Sequence, residues 1–176
     1  MKKRISLCMI ARNEGNNIRR CLQSAVDYVD EIILVDTGSK DNTVDIARSF
    51  GVVVIEEEWR NDFSFHRNTS LAEASGDWII FLDCDEELAE NSGKKLRRLI
   101  QETQFEAFFL QVKNLLDSEE GVLLPSIRVF KNRDCYKFEG KIHEQIVYSI
   151  TNNSGQESIG HTNIVINHYG YNPSQA

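Results

Sequence analysis

WIIFLDCDEE, Trp78 to Glu87, is an apolar run that ends in four carboxylates within five residues: Asp83, Asp85, Glu86 and Glu87. An apolar run of this length, bounded by a break at Ser75 to Asp77, reads as a strand buried in a sheet. Crowded carboxylates at such a strand end repel one another and are costly to desolvate, so they face either bulk water or a cation. Upstream, the same grammar repeats. Phe63 to Ala74 reads as a helix, VVVIEE (Val52 to Glu57) as a strand, and Thr43, Ile46, Ala47 and Phe50 mark one face of a helix closed by Gly51 at its C′ position. EIILVD (Glu31 to Asp36) and ISLCMI (Ile5 to Ile10) are further buried strands. Between them Ile18, Cys21, Leu22 and Ala25 keep the i, i+3, i+4, i+7 spacing of a helix that Asn16 can cap. Strands apolar on both faces, alternating with helices, predict an α/β fold: a Rossmann-like, mostly parallel sheet flanked by helices with right-handed crossovers.

In such a sheet ligands bind beyond the carboxyl ends of the strands. Three polar segments share that edge: ARNE (Ala11 to Glu14), DTGSKDN (Asp36 to Asn42) and DCDEE (Asp83 to Glu87). Each alone is an ordinary turn or cap, whereas their convergence defines a candidate site.

The whole chain bounds what that site can serve. Its 176 residues, 41% hydrophobic and 27% charged, suffice for one core, so a single domain is expected. A net charge of -7 with no basic stripe argues against a nucleic-acid or anionic-membrane partner. A phosphorylated substrate would therefore need local positive charge or a metal. The opening MKKRISLCMIARNE has no signal-peptide pattern and no 18-residue apolar run follows, which makes the cytoplasm the expected location. Cys8, Cys21, Cys84 and Cys135 lack CxxC spacing and read as buried free thiols.

In Asp83-Cys84-Asp85, strand alternation would aim both carboxylates at one point and Cys84 away from it. Mg²⁺ and Mn²⁺ take oxygen ligands and need only one or two protein carboxylates when phosphates and water complete the shell. From spacing alone the alternative stays open: a solvated acidic loop, with Glu86 and Glu87 favouring the start of the next helix through its dipole. DTGSKDNT lacks the GxGxxG glycines of a dinucleotide fold. Asp36 could accept hydrogen bonds from a base or ribose with Gly38 giving close approach, or could form an Asx-turn.

The second half is less regular. Ser92 can cap a helix carrying Leu96, Leu99, Ile100 and Thr103, and EAFFLQV (Glu106 to Val112) is a strand. Beyond Pro125 four short strands are expected, SIRVF, CYKFEG, HEQIVYSI and NIVINHYG, making a mixed or antiparallel extension.

The ordered set CMIARNE, EIILVDTGSKDNT, EWRNDFSFHRNTSLAEASGDWIIFLDCDEE, RVFKNRDCYKFEGKIHEQI and NHYGY resembles bacterial family-2 glycosyltransferases of GT-A fold across nearly the whole chain. It looks most like the subgroup related to peptide S-glycosyltransferases and to glycosyltransferases carrying tetratricopeptide repeats. The resemblance implies a nucleotide-sugar half over residues 1–105 and an acceptor-side half over 106–176. It implies that Ala11, Asn13 and Glu14 line the nucleotide pocket, that Asp36 and Gly38 meet the base or ribose, and that Arg67 lies near the diphosphate. Asp83 and Asp85 become the D-x-D pair on Mn²⁺ or Mg²⁺, with Asp85 the more direct ligand, Asp83 also near the donor, and His168 a further candidate ligand. The implied reaction is inverting transfer of a sugar from a nucleotide diphosphate, UDP first, to a glycan, lipid-linked saccharide, peptide or small molecule. Glu144 is the candidate base, with Glu139 and His143 behind it. The usual acidic pair at that place is His-Glu here. Trp59, Phe63 and Phe65 read as helix-to-sheet packing rather than sugar stacking. Two other readings remain: a non-catalytic sugar-nucleotide-binding domain of a larger protein, which the abrupt ending allows, and nucleotidyl transfer, which the missing glycine-rich, lysine-bearing loop disfavours.

Overall fold

The computed structural model describes residues 2–115 and 122–170. Strands β1 (Ile5–Ala11), β2 (Glu31–Asp36), β3 (Val53–Glu56) and β4 (Trp78–Phe81) alternate with helices α1 (Ile18–Ala25), α2 (Thr43–Ser49) and α3 (Phe63–Glu73). After β5 (Glu86–Leu88) come α4 (Ser92–Glu102), β6 (Ala107–Asn114), β7 (Val122–Lys131), α5 (Val147–Ser154) and β8 (Ile159–His168). The strands form one sheet in the order β3-β2-β1-β4-β7-β6-β8-β5. The first four are mutually parallel, β7 is antiparallel to β4 and β6, β6 and β8 are parallel, and β5 is antiparallel to β8. The expected parallel half and mixed extension are both present.

Strand alternation sorts the core onto the two faces of the sheet. Ile5, Leu7, Met9, Trp78 and Ile80 pack with residues of α1, α2 and α4, while Cys8, Ile33, Ile79 and Phe81 pack with Leu71 of α3 and Ile150 of α5. On α1 the four spaced residues Ile18, Cys21, Leu22 and Ala25 are all fully buried. Burying Ile18 and Leu22 contributes roughly 1.5–3 kcal/mol each, which anchors the helix beside the loop that precedes it. Gly76 sits where a Cβ would lie 2.6 Å from Ser6 Oγ, so this glycine is required by the close approach of the α3–β4 turn to β1.

Several local expectations change. The N-cap of α1 is Asn17, one residue beyond the expected Asn16. It makes no side-chain capping bond, because its Oδ1 accepts from Arg20 Nη2 at 3.2 Å while its Nδ2 donates to Glu14 Oε2 at 2.9 Å. Ser92 does not cap α4; its hydroxyl accepts from the Val165 amide at 3.1 Å, and left-handed Asn91 (φ 64°) precedes the helix instead. Strand β7 begins before Pro125 and runs through it. There β7 has β6 on one side only, since β4 pairs only with Trp78 to Ile80 against Val129 to Lys131, and a proline without an N–H is tolerated. CYKFEG forms no ladder beyond an isolated Glu139–Gln145 bridge. HEQIVYSI, read as a strand from its β-branched residues, is irregular in its first half and opens helix α5 in its second: Ile146 at the N-cap, Ser149 and Ile150 are buried at helical spacing, and tertiary burial overrides propensity. Glu86 and Glu87 belong to strand β5 and not to a helix start. Cys8, Cys21 and Cys84 are buried free thiols as expected, but Cys135 is exposed. The last residue of NHYGY lies outside the described residues. Among the described residues no helix is long and apolar enough to cross a membrane.

Candidate functional site

The ends of β1 and β4, the start of α3 and the end of β8 surround a cavity of about 500 Å³. Its floor is the turn after β4. That strand stops at Phe81, and the Glu86 amide bonds the Asp83 carbonyl at 3.0 Å, so Asp83, Cys84 and Asp85 lie in a turn rather than in extended chain. The expectation that strand alternation aims both carboxylates at one point is therefore corrected. Asp83 accepts from Arg67 Nη2 at 2.5 Å and lies 3.6 Å from Arg128 Nη1. Asp85 Oδ2 instead meets His168 Nε2 at 3.2 Å. That meeting is made by sheet pairing: β5 runs antiparallel to β8 with Glu86 opposite His168, and the Tyr169 amide bonds the Asp85 carbonyl at 3.0 Å. The Cys84 thiol turns to the Ile10 carbonyl of β1 at 3.6 Å.

Helix α3 delivers the cation. Asp62, in extended backbone, accepts from the Phe65 amide at 3.0 Å and caps the helix, which places Arg67 one turn further in. Arg67 is only 4% exposed. Its Nη2 is on Asp83, its Nε donates to Glu144 Oε1 at 3.1 Å, and its buried Nη1 has no partner. Burial opposes the charge of Arg67, and the carboxylates of Asp83 and Glu144 outweigh it, holding the guanidinium protonated. Neighbouring Asn68 fixes the segment that leads to Glu144. Its amide donates to the Phe138 carbonyl at 2.9 Å and accepts from the Phe138 amide at 2.8 Å, while the Phe63 amide bonds the Lys141 carbonyl. In the pair Arg67-Asn68, the first residue serves the cavity and the second holds the loop that brings the opposing carboxylate. Glu144 lines the cavity, whereas Glu139 and His143 do not.

The electrostatics divide the acidic run. Burial would raise the pKa of Asp83, but Arg67 and Arg128 hold it well below the usual carboxylate range. Glu86, 1% exposed, bonds the Asp83 amide at 2.9 Å and Arg128 Nη2 at 2.6 Å; burial pushes its carboxyl up to about 7, with Arg128 opposing and Asp83 adding. The His168 imidazole is pushed up chiefly by its bond to Asp85. Glu14, half-buried at the cavity rim, is raised by burial against the Asn17 bond, with the Asp85, Asp41 and Asp83 charges adding.

The amino-terminal loops have a different task. Ala11 lines the cavity and its carbonyl accepts from Thr37 N and Oγ1. Asn13, left-handed at φ 57°, accepts from the Lys40 amide at 2.8 Å and donates its own amide to Ser39 Oγ. Asp36 is 3% exposed and accepts from the Gly38 and Ser39 amides and the Ser39 hydroxyl, so it shapes the turn as an Asx-turn. Gly38 (φ 97°) has open space where a Cβ would be, so its backbone angle is what requires glycine. Asp36 and Gly38 line an adjoining cavity of about 760 Å³, which shares Arg12, Thr37 and Trp59 with the first. The structure thus brings Ala11, Glu14, Arg67, Asp83, Asp85, Glu144 and His168 to one cavity, and puts Asp36 and Gly38 next door.

Sequence reasoning missed Arg128 and Glu86. The signal for Arg128 was a charge inside the apolar run SIRVF, and for Glu86 nothing distinguishes it from its acidic neighbours before β5 is known. Trp59 and Phe63 also differ from expectation. Both line the cavity, with their rings 4.8 Å apart, and Trp59 additionally stacks on buried His66 at 5.0 Å.

A divalent ion fits this geometry. Asp85 and His168 offer a carboxylate oxygen and an imidazole nitrogen at one point; the carboxylate suits Mn²⁺ or Mg²⁺, and the imidazole is a less selective ligand. Among the described residues no group of three His, Cys, Asp or Glu side chains that could hold a metal ion is assembled, so Asp85 and His168 are the two that could contribute to one, with substrate phosphate and water needed to complete its shell.

Comparison with known proteins agrees with the motifs. The profile of Glycosyl transferase family 2 matches residues 6–155. A TPR repeat-containing protein of Synechococcus elongatus is 37% identical over 174 residues, covering 95% of this chain and 42% of that protein. The SPbeta prophage-derived glycosyltransferase SunS of Bacillus subtilis is 33% identical over 174 residues, covering 97% of this chain and 40% of SunS. The chain thus spans about two fifths of the length of these relatives. Among solved structures, S. aureus TarS in complex with UDP-GlcNAc superposes with a TM-score of 0.75 at 14% identity, covering 98% of this chain and 61% of that one. Glucosyl-3-phosphoglycerate synthase from Mycobacterium tuberculosis in complex with Mn²⁺ and UDP-Glc gives 0.72 at 20%, covering 98% and 73%. At such identities the likeness is one of fold, and the fold is that of GT-A glycosyltransferases. With the profile spanning residues 6–155 and two relatives above 30% identity, the chain belongs to glycosyl transferase family 2.

Proposed function

We propose that this domain transfers a sugar from a nucleotide diphosphate, UDP foremost, to a nucleophilic acceptor, with metal assistance and inversion at the anomeric carbon. The observation that carries the reading is the meeting in one cavity of the Asp85–His168 pair, the buried Arg67 guanidinium and the Glu144 carboxylate. The glycosyltransferase SunS among the relatives, and the UDP-sugar and Mn²⁺ in the complexes of the structural neighbours, support it.

Asp85 and His168 would hold the ion. When bound, it would supply Lewis-acid neutralisation of the charge that develops on the departing diphosphate. This chain's residues do the rest. Arg67 has a spare Nη1 donor for a phosphate oxygen, and its guanidinium stays charged through the reaction. Asp83 holds Arg67 and Arg128 in place, acting as a positioning residue and not a direct ion ligand. Trp59 and Phe63 line the cavity and would offer a bound sugar an aromatic wall. Glu144 takes the acceptor proton as general base from the side facing Arg67. Asp36, Gly38 and Asn13 fix the loops that would receive the base and ribose.

The test is calorimetric titration of UDP, GDP, TDP and ADP with Mn²⁺ and again with EDTA. UDP should bind on the order of micromolar with Mn²⁺ and at least ~10-fold more weakly without it. Failure of every nucleotide to bind a folded sample overturns the reading. Metal-dependent binding with no turnover of any UDP-sugar would reassign the chain as a sugar-nucleotide-binding domain.

A further inference from the structure

Arg67, Asp83 and Glu144 form a wall with two sides. Behind the cavity already described lies a second one of about 520 Å³, and these three residues line both. The second cavity is otherwise of different character. Phe81 and Phe138 meet edge to face at 5.1 Å along it, and Phe109, Ile146 and Val147 add apolar surface from β6 and the start of α5. Arg128 is the further cation there, and its buried Nε has no hydrogen-bond partner. A buried donor without a partner is costly, so this one, on a residue that lines the second cavity and not the first, favours a ligand that carries an acceptor oxygen.

Building on the donor reading, we propose that this second cavity is the acceptor pocket, and that it takes an acceptor whose nucleophilic hydroxyl or thiol lies next to an aromatic or branched aliphatic group. The argument is topological as much as chemical. A general base must touch the acceptor's proton while the sugar's anomeric carbon lies within reach, and Glu144 is the candidate base that faces both spaces. In the transfer the acceptor's oxygen or sulfur bonds to the anomeric carbon. The bond from that carbon to the diphosphate oxygen breaks with its electron pair going to the diphosphate, and the acceptor's proton passes to Glu144. An aromatic group filling the pocket between Phe81, Phe109 and Phe138 would also displace the water that would otherwise hydrolyse the donor.

The experiment uses the whole chain with UDP and Mn²⁺, and 2-(4-fluorophenyl)ethanol as the probe, observed by ¹⁹F NMR line broadening. Half-buried Ser126 and Val147 line the pocket, so Ser126→Phe and Val147→Phe should each fill it. We expect broadening with the wild type, at least ~5-fold weaker probe binding in both variants, and UDP affinity within about twofold of wild type. The alcohol should also bind at least ~3-fold more tightly than 4-fluorotoluene, which cannot donate to Glu144. Absence of broadening in a wild type that binds UDP, undiminished broadening in a variant that binds UDP, or equal binding of alcohol and toluene overturns the pocket and leaves the donor reading standing. Loss of UDP binding in the wild type strikes the donor reading itself. Two variants on different elements, β7 and α5, keep the test decisive if one of them fails to fold.

Discussion

Asp83 and Asp85 flank one cysteine, yet the two sides of Cys84 are built on opposite principles. On the Asp83 side a carboxylate lies between two guanidinium groups that are themselves packed against the Phe81 ring, at 5.0 Å for Arg67 and 4.6 Å for Arg128. On the Asp85 side a carboxylate faces a single imidazole whose side chain is 33% exposed. Asp83 holds two guanidinium groups that it shares with Glu144 and Glu86, so its oxygens are already engaged by cations; on the reading proposed above, Asp85, facing one histidine that can give up its proton, is the carboxylate that would exchange that proton for a metal. The role of a carboxylate in an acidic run follows from which partners the fold brings to it, and spacing along the chain does not decide it.

The sharpest way to break this contrast is to remove one charge at a time. Asp85→Asn keeps the size of the side chain and removes its charge. It should lower UDP-sugar turnover on the order of 10³-fold and make UDP affinity indifferent to Mn²⁺, with the melting temperature almost unchanged. Turnover and calorimetry read both. Asp83→Asn should do the reverse. It leaves Arg67 and Arg128 facing one another without their shared carboxylate, a loss that costs about 3–5 kcal/mol for a fully buried pair. Because 39% of the Asp83 side chain is exposed, about 2 kcal/mol is expected, read as a lower urea midpoint, while the Mn²⁺ dependence of UDP binding survives. If the metal dependence followed Asp83 and the stability followed Asp85, the roles given to the two sides would be exchanged.

The same contrast explains what could be read from the chain. β1 to β4 and their helices were legible because their signals are local: apolar runs, helical spacing at Ile18, Cys21, Leu22 and Ala25, and a break at Gly76. The polar strand ends followed from the parallel architecture. What was not legible depends on contacts distant in sequence. His168 reaches Asp85 only because β5 and β8 pair antiparallel, some eighty residues apart, and β5 itself is three residues long and acidic. Arg128 stands out as a charge inside the apolar run SIRVF, but only the fold places its partners Asp83 and Glu86 beside it. Ile146 to Ile150 carries β-branched residues in a segment that burial makes a helix. The motif set carried Glu144 to attention, and it is Asn68, through its two bonds to Phe138, that explains physically why the loop bearing Glu144 lies where it does.

The smallest predicted effect comes from a carboxylate built like Asp83 but far from the cavity. Glu106 accepts from Arg133 Nε at 2.5 Å, from Lys131 Nζ at 2.8 Å and from the Tyr136 hydroxyl at 3.0 Å, tying β6 to the end of β7. The Arg133 bonds above all, against some burial and with Lys131 and Tyr136 adding, lower its carboxyl from 4.5 to about 2. A carboxyl depressed in the folded state contributes stability that is present above its unfolded pKa and is lost as pH falls toward the folded one. Glu106→Gln should therefore melt a few degrees below wild type at pH 7, and the gap should close between pH 4.5 and about 2 as the wild type loses this contribution. Turnover and UDP affinity should not move at pH 7. A Glu106→Gln protein with weakened UDP binding would show that arginine clamping alone does not mark a structural carboxylate. A gap that stayed constant into acid would show that the substitution acts through packing around Tyr136 instead of through charge.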